Sequence, residues 1–269
     1  MKTISNLIIE IIPSKMSSEQ MFQSDFDKYK ELAYQSFVKA NRRRPTDCLE
    51  GINMEKDYVP RSELISRIGD KCIDGGSILI RSPPCSGKTS LSQLLFLHFY
   101  QVHNYLPVSL SCLNWPEEKS FEDSFGEKSG LGNSLNHVLE SVSDSNVIVV
   151  IIDEAQLLYQ RIHSRVWEKV KAGDPFNVKW IFLSAYGEKV GNSDLATPFE
   201  FSKERMFGLN DMLFTYVEFS QYVLQDNWEV NESEILKKIY YSTGGHIGLL
   251  KKIQILLYNY KVSHQQKGE

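Results

Sequence analysis

The chain has 269 residues, a net charge of −4 at pH 7, 42% hydrophobic residues and 24% charged ones. That length admits one large domain, or one domain with a small appendage, and the balance is ordinary for a folded protein. The weak negative charge excludes a global pull toward nucleic acid or an anionic membrane surface and leaves only local basic patches to weigh.

Residues 1–16, MKTISNLIIEIIPSKM, are apolar but interrupted by Glu10, and no run in them is long enough for a secretory core. They read as an edge strand or a strand-like plug. Residues 17 to 40 place Phe22, Phe26, Tyr29, Ala33 and Phe37 at helical spacing, with Ser17 and Ser18 as caps. Arg42, Arg43 and Arg44 precede Pro45, which ends that helix. A solvated helix end complementing the dipole accounts for the arginines better than a nuclear-import or phosphate patch.

From residue 62 helices alternate with short apolar runs. Helices are expected over 62–73, 87–102 and 131–142, and strands over 77–80, 106–110, 146–152 and 180–183. Because the strand runs are apolar throughout rather than alternating, they predict a parallel sheet covered on both faces. Residues 115–132, rich in Glu, Lys, Ser and Gly, read as a mobile surface loop. Beyond residue 209 only helices are expected, over 219–224, 232–241 and 248–260. The predicted fold is α/β, with a five-stranded parallel sheet covered by helices and a small all-helical C-terminal lid. Its divisions are residues 1–45 (strand and helix extension), 46–208 (core) and 209–269 (lid). No stretch approaches the ~20 apolar residues of a membrane helix, so a soluble chain without membrane association is expected. Cys48, Cys72, Cys85 and Cys112 form no C-x-x-C pair, which argues against a zinc site and for a reducing, intracellular compartment.

The chemistry sits in residues 80 to 90, IRSPPCSGKTS, which nearly match the pattern G-x-x-x-x-G-K-[ST]. A strand that ends in such a loop and opens a helix is an anion site, since the first-turn N–H groups and the helix dipole face the ligand. Lys88 is placed for β- and γ-phosphate oxygens and Thr89 for Mg²⁺. Ser82, Pro83, Pro84, Cys85, Ser86, Gly87 and Ser90 complete the loop. Ser82 stands where a glycine belongs and is expected to cost some turn flexibility, while Pro83 and Pro84 remove two donors. Cys85 reads as filler rather than as an activated thiol.

Downstream, NVIVVIIDE (146–154) is an apolar strand ending in two carboxylates. There Asp153 is placed to bind Mg²⁺ and Glu154 to orient and deprotonate a water. Helix-capping acids are the bland alternative. The run KWIFLSAYG ends a further strand in Ser184, a polar side chain suited to the γ-phosphate or the water. Glu154, Lys88 and Ser184 are therefore the catalytic candidates, and Thr89 and Asp153 the metal ligands. With the strand Leu106 to Leu110 counted as the extra strand between loop and acids, the pattern fits the additional-strand glutamate class. No N-K-x-D guanine motif occurs, so ATP is expected as the nucleotide. His246, among glycines, reads as a packing or capping residue. Arg161, Arg165 and Arg205 are candidate arginine fingers.

SPPCSGKT resembles the GPPGxGKT loop of AAA+ and related signal-transduction ATPases. DYVPRSEL (57–64) is similar to their F-V-G-R-x-x-E-L box, which implies Tyr58, Val59 and Arg61 near the adenine, with Pro60 departing from the pattern. STGGHIGLL (242–250) resembles the T-G-G-H-P-x-x-L stretch of the helical lid in archaeal-type and origin-recognition-like ATPases. In combination these are most similar to the ATPase module of Crinkler-type effectors, over about residues 55 to 260. Asp153 and Glu154 predict slow ATP hydrolysis with Mg²⁺, coupled to lid movement; an unknown protein partner or oligomer is expected, and the resemblance to Crinkler-type effectors implies secretion toward a host nucleus. The L-F-L-A-K header motif of that family does not occur in the sequence. Two other readings stand beside it: an ATP-gated switch with negligible turnover, and a nucleic-acid-associated ATPase resting on Arg42 to Arg44 and Lys251-Lys252.

Overall fold

The computed structural model describes residues 18–42, 51–53, 58–113, 115, 121–159, 166–167, 170, 178–185, 201–225, 228 and 233–265. The expected N-terminal plug, Arg43, Arg44, Cys48, Arg161 and Arg165 lie outside them. Helix α1 spans Ser18–Arg42 and α2 spans Ser62–Gly75. Strand β1 (Ile78–Arg81) runs through the phosphate loop into α3 (Lys88–Gln101). Then come β2 (Tyr105–Ser111), α4 (Phe121–Ser129), α5 (Leu135–Glu140), β3 (Val147–Asp153), α6 (Gln156–Tyr159) and β4 (Val178–Ser184). After β5 (Met206–Phe207) the chain is helical: α7 (Leu209–Met212), α8 (Tyr216–Gln225), α9 (Ser233–Thr243) and α10 (Ile247–Gln265).

The five strands form one parallel sheet in the order β2-β3-β4-β1-β5. From Ile148 to Asp153 every residue of β3 is buried, as its unbroken apolar run requires of a central strand covered on both faces. The fifth strand, Met206–Phe207, is too short to leave a pattern in the sequence. The extra strand is also a different one from that expected. Leu106 to Leu110 lies in β2 at the sheet edge, beyond β3. It is β4 that separates the loop strand from the acid strand, with Leu183 opposite Ile80 and Phe182 opposite Ile152. Sheet order is set by which faces the crossovers cover, and no local pattern records it.

Helix α1 lays its stripe on the main core: Phe26, Tyr29, Ala33 and Phe37 are buried, and Phe37 stacks on Phe96 with centroids 4.0 Å apart. Phe22 is 39% exposed, so the stripe starts one turn later than its spacing suggested. The Lys30 ammonium donates to the carbonyls of Val102 (2.6 Å) and His103 (3.1 Å), satisfying acceptors just past the end of α3.

Within residues 115–132, expected as a mobile loop, the described part contains α4. Phe121 and Phe125, one turn apart, are buried, and Trp115 stacks on Phe121. Aromatic burial outweighs the polar composition of the segment. The buried apolar residues fall into two clusters. The main one extends from α1 to Met212, and the second joins Val59 to Phe214, Phe219, Val223, Trp228 and Leu250. Among the described residues, no helix is long and apolar enough to cross a membrane.

Candidate functional site

The site lies at the C-terminal edge of the sheet, where β1, β3 and β4 end side by side. The loop leaves β1 at Ser82, whose N–H donates to the Ser184 carbonyl at 3.2 Å and whose hydroxyl lies 2.6 Å from that of Ser86. Its substitution for glycine meets no backbone strain, because the positive φ angles of the loop fall at Cys85 (60°) and Gly87 (88°). The expected loss of turn flexibility at Ser82 is thus corrected. The residue that carries the strain is Cys85, which stands where the resembled loop has its other glycine. Pro83 is half-buried, and Pro84 and Cys85 are exposed.

Gly87 is the N-cap of α3, with no side chain to cap the first turn and no acid within that turn. A first turn without a side-chain cap or acid is the arrangement of anion-binding helix ends. The buried Lys88 ammonium folds back on its own loop and donates to the carbonyls of Pro83 (2.8 Å) and Ser82 (3.1 Å).

Thr89 donates its hydroxyl hydrogen bond to Asp153 Oδ2 at 2.8 Å, bringing loop and acid strand together across β4. Burial pushes the Asp153 carboxyl above the usual range, and Glu154 adds to the rise. Hydrogen bonds from Thr89 and the Glu154 N–H, and the Lys88 charge, oppose it. A hydroxyl and a carboxylate oxygen so close form a hard-oxygen donor set that suits Mg²⁺, so the residues fit the metal the motifs imply.

Glu154 follows in a left-handed conformation, φ 56°, with its N–H on Asp153 Oδ1 at 3.0 Å. Its carboxylate accepts a hydrogen bond from the Gln156 side-chain amide, and Gln156 Oε1 accepts from the Ala185 N–H at 3.0 Å. Gln156 therefore ties Glu154 to the end of β4. The sequence reading passed over it; its signal was a carboxamide two residues after the acid pair, in the same local turn. Ser184 is buried beside the loop, but its hydroxyl donates to the Ala185 carbonyl at 2.9 Å.

The residues of the upstream box lie where the C-terminal helices meet the core. Val59 is a member of the second apolar cluster, and Tyr58 is half-buried with its carbonyl accepting from Gln225 Nε2 at 3.3 Å. Arg61 is spent on structure. Its guanidinium donates to the carbonyls of Met212 (3.1 Å) and Leu213 (2.9 Å) and to Glu218 (3.1 Å), and lies over the Phe214 ring. Arg205, a candidate arginine finger, lies away from the loop of its own chain. Its guanidinium fills the space beside Gly75, at the opposite end of β1 from the loop.

The C-terminal helices touch the loop itself. A Cβ built on Gly248, in the first turn of α10, would lie 2.5 Å from the Cys85 carbonyl oxygen, and one on Gly87 would lie 3.1 Å from Ile247 Cγ2. His246 caps that turn, its Nδ1 accepting from the Leu249 N–H at 3.4 Å.

No family model and no curated protein sequence matches the chain. Solved structures do. The Walker-type ATPase PABY2304 of Pyrococcus abyssi is 14% identical with a TM-score of 0.46, over 81% of this chain and 77% of that one. The Aeropyrum pernix ORC2 protein, as ADPNP-ADP complexes, is 10% identical with a TM-score of 0.40, over 63% of this chain and 52% of that one. Drosophila ORC bound to DNA is 14% identical with a TM-score of 0.43, over 73% of this chain and 58% of that one. The chain thus spans little more than half of the two origin-recognition proteins. Its own sheet order and loop carry the assignment: the chain has an α/β phosphate-loop fold, a five-stranded parallel sheet flanked by helices with further helices at its C-terminal end.

Proposed function

We propose that the chain binds Mg²⁺-ATP on the Ser82–Ser90 loop and hydrolyses it slowly. One observation supports this most: the Thr89–Asp153 hydrogen bond, which joins the phosphate loop to the acid pair across an intervening strand. A Mg²⁺ held there would supply neutralisation of the charge that develops on the phosphates. Thr89 and Asp153 hold it. Lys88 exchanges its loop carbonyls for β- and γ-phosphate oxygens, and the N–H groups that open α3 donate to the anion. Glu154 orients the attacking water and takes its proton, while Ser184, beside it on β4, positions water or γ-phosphate. Gln156 couples the two by holding the Glu154 carboxylate and the residue after Ser184 together.

Residues 46–208 serve as the ATPase core and 209–269 as a lid that responds to the nucleotide through Gly248 and Ile247. The TGGH-containing stretch that sets this lid against the loop supports a place beside the Crinkler-type ATPase modules. The switch reading also has a supporting observation. Glu154 has a left-handed backbone conformation and its carboxylate is engaged by Gln156, an arrangement that suits negligible turnover.

The test of the binding site is Lys88→Ala, which removes the charge aimed at the β,γ-phosphates. Calorimetry is expected to show no Mg²⁺-ATP binding by the variant. Binding as tight as the parent's would place the nucleotide elsewhere.

A further inference from the structure

We propose that Gln225, the last residue of α8, reads the six-position of the purine and sets a preference for adenine over guanine; the inference rests on the nucleotide reading above. The Gln225 side-chain nitrogen donates to the Tyr58 carbonyl at 3.3 Å. That bond fixes the amide's orientation, because the reverse would set Oε1 against a carbonyl oxygen. Among the described residues, Oε1 is consequently buried with no hydrogen-bond partner. Native proteins rarely keep such an orphan, and a bound ligand is one group that would satisfy it. A second orphan lies three residues on, the indole N–H of Trp228, a residue only 5% exposed.

These atoms connect to the phosphate loop through packed side chains. Trp228 and Val59 share the second apolar cluster, Ile247 packs against that cluster, and Ile247 also meets the loop at Gly87. A base belonging to a triphosphate on the loop has this seam between core and C-terminal helices as its apolar neighbour.

The chemistry of the orphans selects the base. Gln225 Oε1 and the Tyr58 carbonyl are adjacent acceptors. Adenine offers a two-hydrogen amine at its six-position beside a ring-nitrogen acceptor, whereas guanine offers an oxygen there. The acceptor pair bonds the amine and repels the oxygen, and the Trp228 N–H is the donor that a ring nitrogen needs. Gln225 does not touch the reacting atoms; its role is selectivity.

The experiment titrates the full chain by calorimetry, in Mg²⁺, with ATP, GTP and purine riboside triphosphate, which is ATP without the six-amino group. The parent is expected to bind ATP about tenfold more tightly than either other ligand, the scale of one net hydrogen bond. In Gln225→Leu that lead collapses toward parity, while purine riboside triphosphate binds as to the parent and the melting temperature is not lowered. Equal binding of ATP and purine riboside triphosphate by the parent overturns the proposal, and it does so even if the variant fails to fold. So does a variant that keeps the ATP lead, or one that melts earlier and weakens all three ligands alike, which would make Gln225 a plain tie to Tyr58. If the parent binds none of the three and matches Lys88→Ala, the loop reading itself falls, and the proposal with it.

Discussion

At the residue scale, the loop tolerates its unusual sequence because the backbone places its strain elsewhere. Ser82 sits in ordinary backbone and uses its hydroxyl to hold Ser86, while Cys85 and Gly87 take the left-handed positions. Asp153 carries the opposite burden, a carboxylate that is buried. Its folded-state pKa lies above its unfolded value, so the stability of the protonated form is fully present below the unfolded pKa and is lost as the pH rises through the folded one. At neutral pH the metal-free protein therefore bears the penalty of a buried charge. Asp153→Asn should raise the melting temperature of the metal-free protein at pH 7.5, with the gain shrinking as the pH falls toward 4. The same variant should lose the further stabilisation that Mg²⁺-ATP gives the parent. Thermal melts across that pH range check both, and a lower melting temperature for the variant at pH 7.5 would contradict the account.

At the element scale, helix α10 is held against the loop by the absence of a side chain. A Cβ at Gly248 would meet the Cys85 carbonyl oxygen at 2.5 Å, a backbone atom that cannot swing aside. Gly248→Ala should therefore destabilise by about 1–3 kcal/mol and weaken nucleotide binding without abolishing it. Gly208→Ala is the control. Nothing lies within 4 Å of its Cβ position, and its φ is −110°, so it should stay within about 0.5 kcal/mol of the parent. Urea denaturation with calorimetry separates the two, and equal stabilities would show that α10 does not depend on that close approach. The sequence made some elements legible and hid others for physical reasons. The loop and the acid pair were readable because their chemistry is local: Lys88 and Thr89 are adjacent, and Asp153 and Glu154 follow one apolar run. Helix α4 was hidden by its charged residues, although Phe121 and Phe125 recur at helical spacing. The place of β4 between β1 and β3, and the pairing of Gly248 with Cys85, are tertiary facts with no local signature. Arg61 could be found from its motif, but its partners, 150 residues or more away, could not.

At the scale of the whole molecule, two apolar clusters meet at the phosphate loop. Arg61 clamps α2 to the start of the C-terminal helices through Met212, Leu213 and Glu218, and Val59 enters their core. The loop is thus bounded by the sheet edge on one side and by α10 on the other. Any ligand on it bears on both clusters, and under the proposed function that is the route by which hydrolysis would move the C-terminal helices. The central claim is that this arrangement cleaves ATP through Glu154 rather than only holding it. Single-turnover hydrolysis with ATP saturating, comparing the parent with Glu154→Gln, tests that claim most directly. The account predicts binding retained and cleavage slowed by about 10²–10⁴, the range for a lost general base. An unchanged cleavage rate would contradict it and leave the chain a nucleotide-gated switch.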